Sequence, residues 1–470
     1  MKEKSTKMSM LGCVTMSIGA IIGAGLFTAL PMGITMVGAK VGWALVAAAI
    51  FICVRTLPSL YLQSSLPISG GSYVYMARFI HPSVAFVQSL NACIGMFNIA
   101  VMSITFAAYF VQLFPGANLN KAVVAAACAI IFAILGTFGA KFAGMVQNVI
   151  VAILLAALSV YIFGGLGQVN HAAMAPDFLL PTAKLMSVLG AVAILNYALQ
   201  GGTVVAGFAD EVENPGKTIP QSFFIGTGVV TVIYILIAYV TYGLGPIAGK
   251  EGIEAYNLGA LAAGFLPPWL VTFFIVAGAL FATITTLNGS LMIYSRLFYV
   301  SARDRVWPAF FAKTNKYNVP YVALWFCTGC SVIAIFSGIE ITQLLRVVSI
   351  PGLLLGILFY YPPMVFAKKF PNAAKRSYIK INPIVNKVLC ILSILVSFAM
   401  GSRLLLSLNK GLAIAMVSFY AVGYVYYFIR RAWLAKKGID MLSAGKSTPA
   451  VWEERNRPFE EAAATAETAN

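Results

Sequence analysis

Gly19, Gly23 and Gly25 fall inside the run Ser17-Ile18-Gly19-Ala20-Ile21-Ile22-Gly23-Ala24-Gly25-Leu26-Phe27, in a stretch long and apolar enough to cross a bilayer. Glycine frees the backbone to leave the helix, and what it exposes is bare peptide chemistry: N–H donors for an anion, carbonyls for a cation. Non-helical backbone is tolerated at membrane depth only where it lines an enclosed or watery cavity, so a broken span points to a binding site near the bilayer centre. Gly19 and Gly23 also make a Gly-x-x-x-Gly pair, which serves equally as a helix-packing face. A second stretch of this kind is Asn196-Tyr197-Ala198-Leu199-Gln200-Gly201-Gly202-Thr203, where adjacent glycines stand among amides and a hydroxyl. Each glycine costs ~1 kcal/mol relative to alanine inside a helix. This stretch exits through Asp210-Glu211-Val212-Glu213, read either as a gating element or as a solvated helix end paired with nearby Lys and Arg.

Other chemistries find little footing. Cys327 and Cys330 form a Cys-x-x-Cys pair, but all seven cysteines lie in apolar spans and no histidine is near, so packing is the better reading. The two histidines, His81 and His171, fall in loops on opposite sides. No buried constellation suits an enzyme, and the expectation is a chain that is not an enzyme and carries no metal and no cofactor.

The elements that must position the glycines are membrane helices. The chain is 60% hydrophobic and 10% charged over 470 residues, with a mean hydropathy of +0.87; a soluble domain carries roughly a quarter charged residues. Its apolar runs are ~20 residues long, as helices rather than barrel strands require. Twelve spans are expected, at 10–36, 40–62, 83–113, 122–140, 144–166, 185–209, 221–246, 268–298, 319–338, 342–367, 386–407 and 411–430. Pro351-Gly352 and Pro362-Pro363 mark kinks in the tenth.

A net charge of +17 suggests nucleic acid until the basic residues are placed. Of the 32 lysines and arginines, only Lys40, Lys121, Lys184, Lys250, Arg346 and Lys410 fall on one side, with Arg55 and Arg403 inside spans. All the others fall on the opposite side, which the positive-inside rule makes cytoplasmic, with both termini there and no nucleic acid as partner. Arg55 either snorkels to the cytoplasmic edge or pairs with Glu211. The first span lacks a cleavage site and is read as retained, and the polar stretch 437–470 as a cytoplasmic, disordered tail.

The two glycine-broken spans stand first and sixth. Five crossings separate them, so they run in opposite directions, and such a pair is the best sequence pointer to an inverted-repeat transporter. The organisation expected is a cytoplasmic 1–9, a first repeat 10–166, a second repeat 185–367, two appended helices 386–430 and the tail.

Four motifs carry a resemblance to the amino acid–polyamine–organocation (APC) transporter superfamily: Gly23-Ala24-Gly25-Leu26-Phe27; Pro67-Ile68-Ser69-Gly70-Gly71-Ser72-Tyr73-Val74-Tyr75; Glu211-Val212-Glu213-Asn214-Pro215 through Ile219-Pro220; and Ser295-Arg296-Leu297-Phe298-Tyr299 through Pro308. Their order covers the first ten spans. The resemblance implies an all-α membrane protein of the leucine-transporter fold, a 5+5 inverted repeat with helices 1 and 6 discontinuous, working by alternating access. It implies a substrate carboxylate on the backbone N–H groups of Gly23, Ala24 and Gly25, and a substrate amine on carbonyls from Ala20 to Ile22 and from Tyr197 through Ala198 to Gln200. It sets an aromatic gate on Tyr197 and the family's helix-six glycine on Gly201. It also matches Ser290 to a site aromatic, and Asn98 to an asparagine that recognises the substrate's side chain.

The departures are as telling. An acidic residue of the arginine-type exchangers is Thr203 here, a helix-two carboxylate is Tyr61, and a helix-five lysine is Leu154. With no Asp, Glu, Lys or His at the expected centre, a dication held by a buried carboxylate is disfavoured. The expected function is a secondary transporter in the cell membrane for a small zwitterionic, neutral amino acid, by exchange or facilitated uptake. Thr203, Ser290, Asn98, Asn288 and Gln200 are its polar selectivity residues. The alternatives are a polyamine or monoamine antiporter and, more remotely, a non-transporting amino acid sensor. The partners are then a small amino acid or amine and membrane lipid, with no partner protein indicated. Hydroxyls of Thr283, Thr285 and Thr286 could hold sodium with nearby carbonyls, but such hydroxyls are common in helix packing.

Overall fold

The computed structural model describes residues 8–23, 25–67, 71–114, 116–138, 140–169, 171, 185–317, 319–439 and 441. Among them the chain is built from helices, without a sheet. The first span consists of α1 (Met10–Ile21) and α2 (Leu30–Val37), with a π-helical turn over Gly25–Ala29 before α2. Then come α3 (Val41–Ser65), the short α4 (Gly71–Phe79), α5 (Pro82–Gly95), α6 (Asn98–Phe110), α7 (Lys121–Gly136) and α8 (Ala140–Leu166). The stretch expected as the sixth span consists of α9 (Leu185–Ala198), a turn, and a 3-10 segment over Val204–Glu211. It is followed by α10 (Pro215–Gly243), α11 (Leu258–Ala262) and α12 (Pro268–Phe273). A second π-helical stretch, Phe274–Leu280, leads into α13 (Phe281–Arg303). Last are α14 (Tyr321–Phe336), α15 (Ile341–Leu354), α16 (Gly356–Lys369), α17 (Pro371–Arg376), α18 (Pro383–Leu406) and α19 (Lys410–Lys436).

Helices pair their interior peptide groups within one segment, which lipid demands. Their starts are set by side chains that accept from otherwise unpaired N–H groups. Asn120 Oδ1 takes Ala122 N–H at 2.9 Å, and His81 Nδ1 takes Ser83 N–H at 3.2 Å ahead of Pro82 in the first turn of α5. Eight stretches are long and apolar enough to cross a membrane, the first of them, Met10–Ser65, containing both the broken span and α3. Three shorter apolar helices lie at Lys121–Gly136, Val188–Ala198 and Tyr321–Phe336.

The expected span 83–113 is one apolar stretch, Pro82–Leu113, built from two helices: α5 and α6 meet at Met96–Phe97, and the Met96 carbonyl, which takes Ile99 N–H at 3.0 Å, also accepts Ser331 Oγ of α14 at 3.0 Å. The tenth span breaks at Leu355, after Pro351, as expected. Pro362 and Pro363 sit inside α16, and Asn386 Nδ2 of α18 donates to the Pro363 carbonyl at 2.8 Å.

Packing sets the breaks side by side. α1 lies chiefly on α10, and α9 on α2 and α3. The largest apolar core contains Ile22, Leu26, Leu30, Leu195 and Tyr234. Outside it, α18 and α19 expose Ile384, Leu395, Phe398, Val417 and Phe428. An apolar shell of this extent is a surface for lipid, since water would not tolerate it.

At the end of the bundle that carries most lysines and arginines, Met8 forms an isolated parallel bridge with Val212, and Glu213 N–H donates to the Met8 carbonyl at 3.1 Å. Close to that end, Asp304 caps the exit of α13 and is 4% exposed. Tyr73 Oη of α4 donates to its Oδ2 at 2.8 Å. Burial pushes the Asp304 carboxyl up to about 6, against the pull of Tyr73 and Arg303. The folded chain therefore binds more protons than the unfolded chain between pH ~4 and ~6, and Asp304 contributes stability that is lost as pH rises through that window. The loss is at most about 3 kcal/mol, from a shift of about two pH units. Asp304→Asn should flatten it: the apparent unfolding midpoint in detergent, measured from pH 4.5 to 7.5, falls more steeply for the native chain than for the variant.

Candidate functional site

The first span stops at Ile21 because the next residues cannot hold a helix in this packing. Ile22 turns to an extended conformation at ψ 103°. A Cβ on Gly23 would lie 2.2 Å from Thr286 Oγ1, and one on Gly25 would lie 2.5 Å from Ala198 Cα. Only glycine lets the turn press this closely on α13 and on the end of α9. The Leu26 N–H donates back to the Gly23 carbonyl at 3.1 Å, a tight turn where the π-helical stretch Gly25–Ala29 begins. Ala24 lies outside the described residues.

The second break mirrors this dependence on glycine. α9 ends at Ala198, and Gly201 adopts φ +120°. A Cβ there would sit 2.3 Å from the Ala20 carbonyl oxygen, so the two breaks touch backbone to backbone. Ser17 Oγ donates to the Gly202 carbonyl at 3.2 Å, tying α1 to the turn.

A helix end leaves its last carbonyls without intrahelical partners. Here side-chain hydroxyls take several of them. Thr285 Oγ1 donates to Gly19 at 3.2 Å and Thr286 Oγ1 to Ile22 at 3.4 Å, both from α13. Tyr234 Oη, fully buried on α10, lies 3.2 Å from the Ile21 carbonyl and 3.4 Å from the Ala198 carbonyl. One hydroxyl thus serves both broken helices. Sequence reading missed Tyr234: a tyrosine in an apolar span carries no mark of which carbonyls it will meet.

A cavity of about 500 Å³ opens beside the two breaks. Of the residues singled out from sequence, Gly23, Gly25, Asn98, Tyr197, Gln200, Gly201, Thr203 and Ser290 border it. Ile22 and Ala198 do not; both are buried, and their carbonyls face the hydroxyls just described. Asn288 is absent from the wall, whereas Thr285, Thr286 and Gly289 of the same helix belong to it. Among the described residues no Asp or Glu lines the cavity.

Three side chains from three helices form one hydrogen-bonded file along the wall. Tyr197 Oη donates to Asn98 Oδ1, Asn98 Nδ2 donates to Ser290 Oγ at 2.8 Å, and Ser290 Oγ donates to the Thr286 carbonyl at 2.8 Å. α9, α6 and α13 are therefore locked by a relay whose members also face the cavity. Asn98→Ala should cost little stability, since interhelical hydrogen bonds in membranes average ~0.6 kcal/mol. It should instead change which substrates compete, because Tyr197 and Ser290 lose their fixed orientation; a competitor profile against the unmodified chain measures this.

Leu154 is fully buried in the apolar core, and Tyr61 packs edge-on against Phe366 with ring centres 5.3 Å apart. Arg55 Nη2 donates to the Gly352 carbonyl at 3.2 Å, next to the break between α15 and α16, and the residue lines the cavity. The Glu211 side chain lies outside the described residues.

Comparison with known proteins adds a family. The amino acid permease family model matches residues 8–422. The branched-chain amino acid permease BcaP of Bacillus subtilis (strain 168) is 24% identical over 91% of this chain and 94% of its own length. A methylthioribose transporter of the same bacterium is 23% identical with the same two coverages. The human Asc-type amino acid transporter 1 is 27% identical over 71% of this chain and 66% of its own length.

Proposed function

We infer what the chain does from a plain premise: it belongs to the amino acid permease family, and its apolar helices make it a multi-pass membrane protein. We propose that it is a secondary transporter that moves a small neutral, zwitterionic amino acid by alternating access, exchanging one substrate for another. The observation that carries this reading is the meeting of two glycine-broken helices at one cavity, with Gly201 against Ala20 and Gly25 against Ala198. Such a junction offers the start of one half-helix to a carboxylate and the ends of others to an ammonium, which together are the part every amino acid shares.

In this reading the N–H groups of Gly23 through Gly25 hold the carboxylate. The carbonyls bordering the cavity near Ala20 and Gln200 hold the amine, Tyr197 is the gate, and Asn98, Ser290, Thr203 and Gln200 meet the side chain. The fold is the twelve-helix, 5+5 inverted repeat of the leucine-transporter type, with spans one to five and six to ten as the repeats. Both termini and the basic end are cytoplasmic. The cavity wall continues toward that end through Ser59, Gln63 and Ser72, which supports reading it as a path to the cytoplasmic face.

The named relatives are permeases and transporters, which supports transport over an enzymatic role. A polyamine antiporter would need an anionic cavity, and the described wall carries an arginine in place of any carboxylate. The decisive experiment is exchange in proteoliposomes loaded with tritiated leucine, alanine or serine. Neutral amino acids are expected to drive counterflow, with putrescine and methylthioribose as poor competitors. Absence of exchange with every amino acid, or exchange dominated by putrescine, would sink the proposal.

A further inference from the structure

Arg55 has no part in the reading above, yet a cation inside an apolar span is expensive and is kept for a reason. Its Nη2 donates to a neutral carbonyl, that of Gly352, and the guanidinium also hydrogen-bonds the side chain of Tyr360. Its Nη1 is buried with no hydrogen-bond partner. Among the described residues no ion pair neutralises it. The cavity therefore holds a guanidinium with donors to spare.

Its surroundings form a track. Arg55, Ser59 and Gln63 recur every four residues and so share one face of α3, and all three line the cavity. Gln63 Oε1 is likewise buried and unpartnered. The track starts level with the α15–α16 break and runs to the end of α3 at Ser65, beside Ser72 of α4. It leads from the helix breaks to the basic end.

We propose that Arg55 is a second carboxylate station in the same cavity, taking the carboxylate of an amino acid between the helix breaks and the basic end. This rests on the transporter reading given above. The planar fork of a guanidinium matches a carboxylate with two parallel N–H donors, a fit that a lone ammonium cannot give. Because the wall there carries no described acid, the same charge repels amines that lack a carboxylate and favours zwitterions and carboxylates on this path. The contact with Gly352 places the station at the joint between α15 and α16, so an arriving carboxylate competes with that carbonyl for the guanidinium.

The test is exchange of tritiated leucine measured separately from each face, in right-side-out and inside-out vesicles, for the native chain, Arg55→Met and Arg55→Lys. In Arg55→Met the KM from the basic-end face is expected to rise about tenfold, the size of one charge-assisted hydrogen-bonded contact. The KM from the opposite face should change less than about twofold, and Arg55→Lys should recover part of the loss. A purely structural arginine would move both faces alike, and that outcome overturns the station. A second arm uses 4-methylpentanoate, a carboxylate without the amine, in thermal shift on the purified protein. It should stabilise the native chain and not Arg55→Met; equal stabilisation of both overturns the proposal. If the native chain exchanges no amino acid, the transporter reading fails by itself while the 4-methylpentanoate arm still decides the station. Should Arg55→Met fail to fold, Arg55→Gln replaces it, with affinity falling from Arg through Lys to Gln as the expected order and any other order overturning it.

Discussion

Gly201→Ala is expected to abolish exchange and to lower the apparent unfolding midpoint of the detergent-solubilised protein. Two costs add at this position. Any other L-residue at φ +120° is strained by roughly 1–3 kcal/mol. The new Cβ would also stand 2.3 Å from the carbonyl oxygen and 2.6 Å from the carbonyl carbon of Ala20. Those are backbone atoms of the other broken helix, so relief requires the two breaks to part, and overpacking of this kind costs another ~1–3 kcal/mol. Parting them would pull apart the junction proposed to hold the substrate, and for that reason function should fail before the fold does. Gly228→Ala is the control: a Cβ there meets nothing within 4 Å, and in mid-helix alanine is the better residue, so its midpoint should hold or rise slightly.

Tyr234→Phe is the second large effect. The substitution keeps the ring in its fully buried place and deletes only the hydroxyl that lies within reach of the Ile21 and Ala198 carbonyls. An acceptor left unpaired in such a place costs about 1–3 kcal/mol, and here two lose their partner at once. Exchange should drop at least about tenfold, a loss of ~1.4 kcal/mol or more in the competent arrangement. A modest fall in unfolding midpoint should accompany it, read by the same assays. If phenylalanine were silent in both, Tyr234 would be a packing residue and the coupling of the two breaks would have to lie elsewhere.

How much of this could be read from sequence depended on what each feature requires. The breaks at Gly23–Gly25 and Gly201 were legible because glycine in an apolar span is a local, backbone-level signal. The motifs around them fixed the family, and eight of the named site residues do border one cavity. Tyr197, Asn98 and Ser290 were found separately, but nothing in their spacing says that they hydrogen-bond in series. The π-helical turns at Gly25–Ala29 and Phe274–Leu280 were invisible, since one extra residue per turn leaves no mark on composition. Tyr234 escaped for the opposite reason, and Thr285 and Thr286 were noticed as hydroxyls without their partners, the Gly19 and Ile22 carbonyls. Hydroxyls are common in membrane helices, and their partners lie far along the chain on elements whose packing angle the sequence does not state. Arg55 was noticed as a charge, yet its partner is a backbone carbonyl at Gly352, and every residue has one of those.

The bridge between Met8 and Val212, with Glu213 N–H on the Met8 carbonyl, has a practical side. It fastens the lead-in to α1 onto the stretch where the sixth span emerges. A fusion protein or surface-immobilisation tag joined directly at Met8 would load both discontinuous helices through one short lever. The same cargo placed beyond Met441 follows α19, which packs chiefly on α5 and forms neither helix break. Constrained attachment for force or tethered-vesicle measurements is therefore better made at the carboxyl end, and a label meant to report movement of the helix breaks is better placed beside Met8.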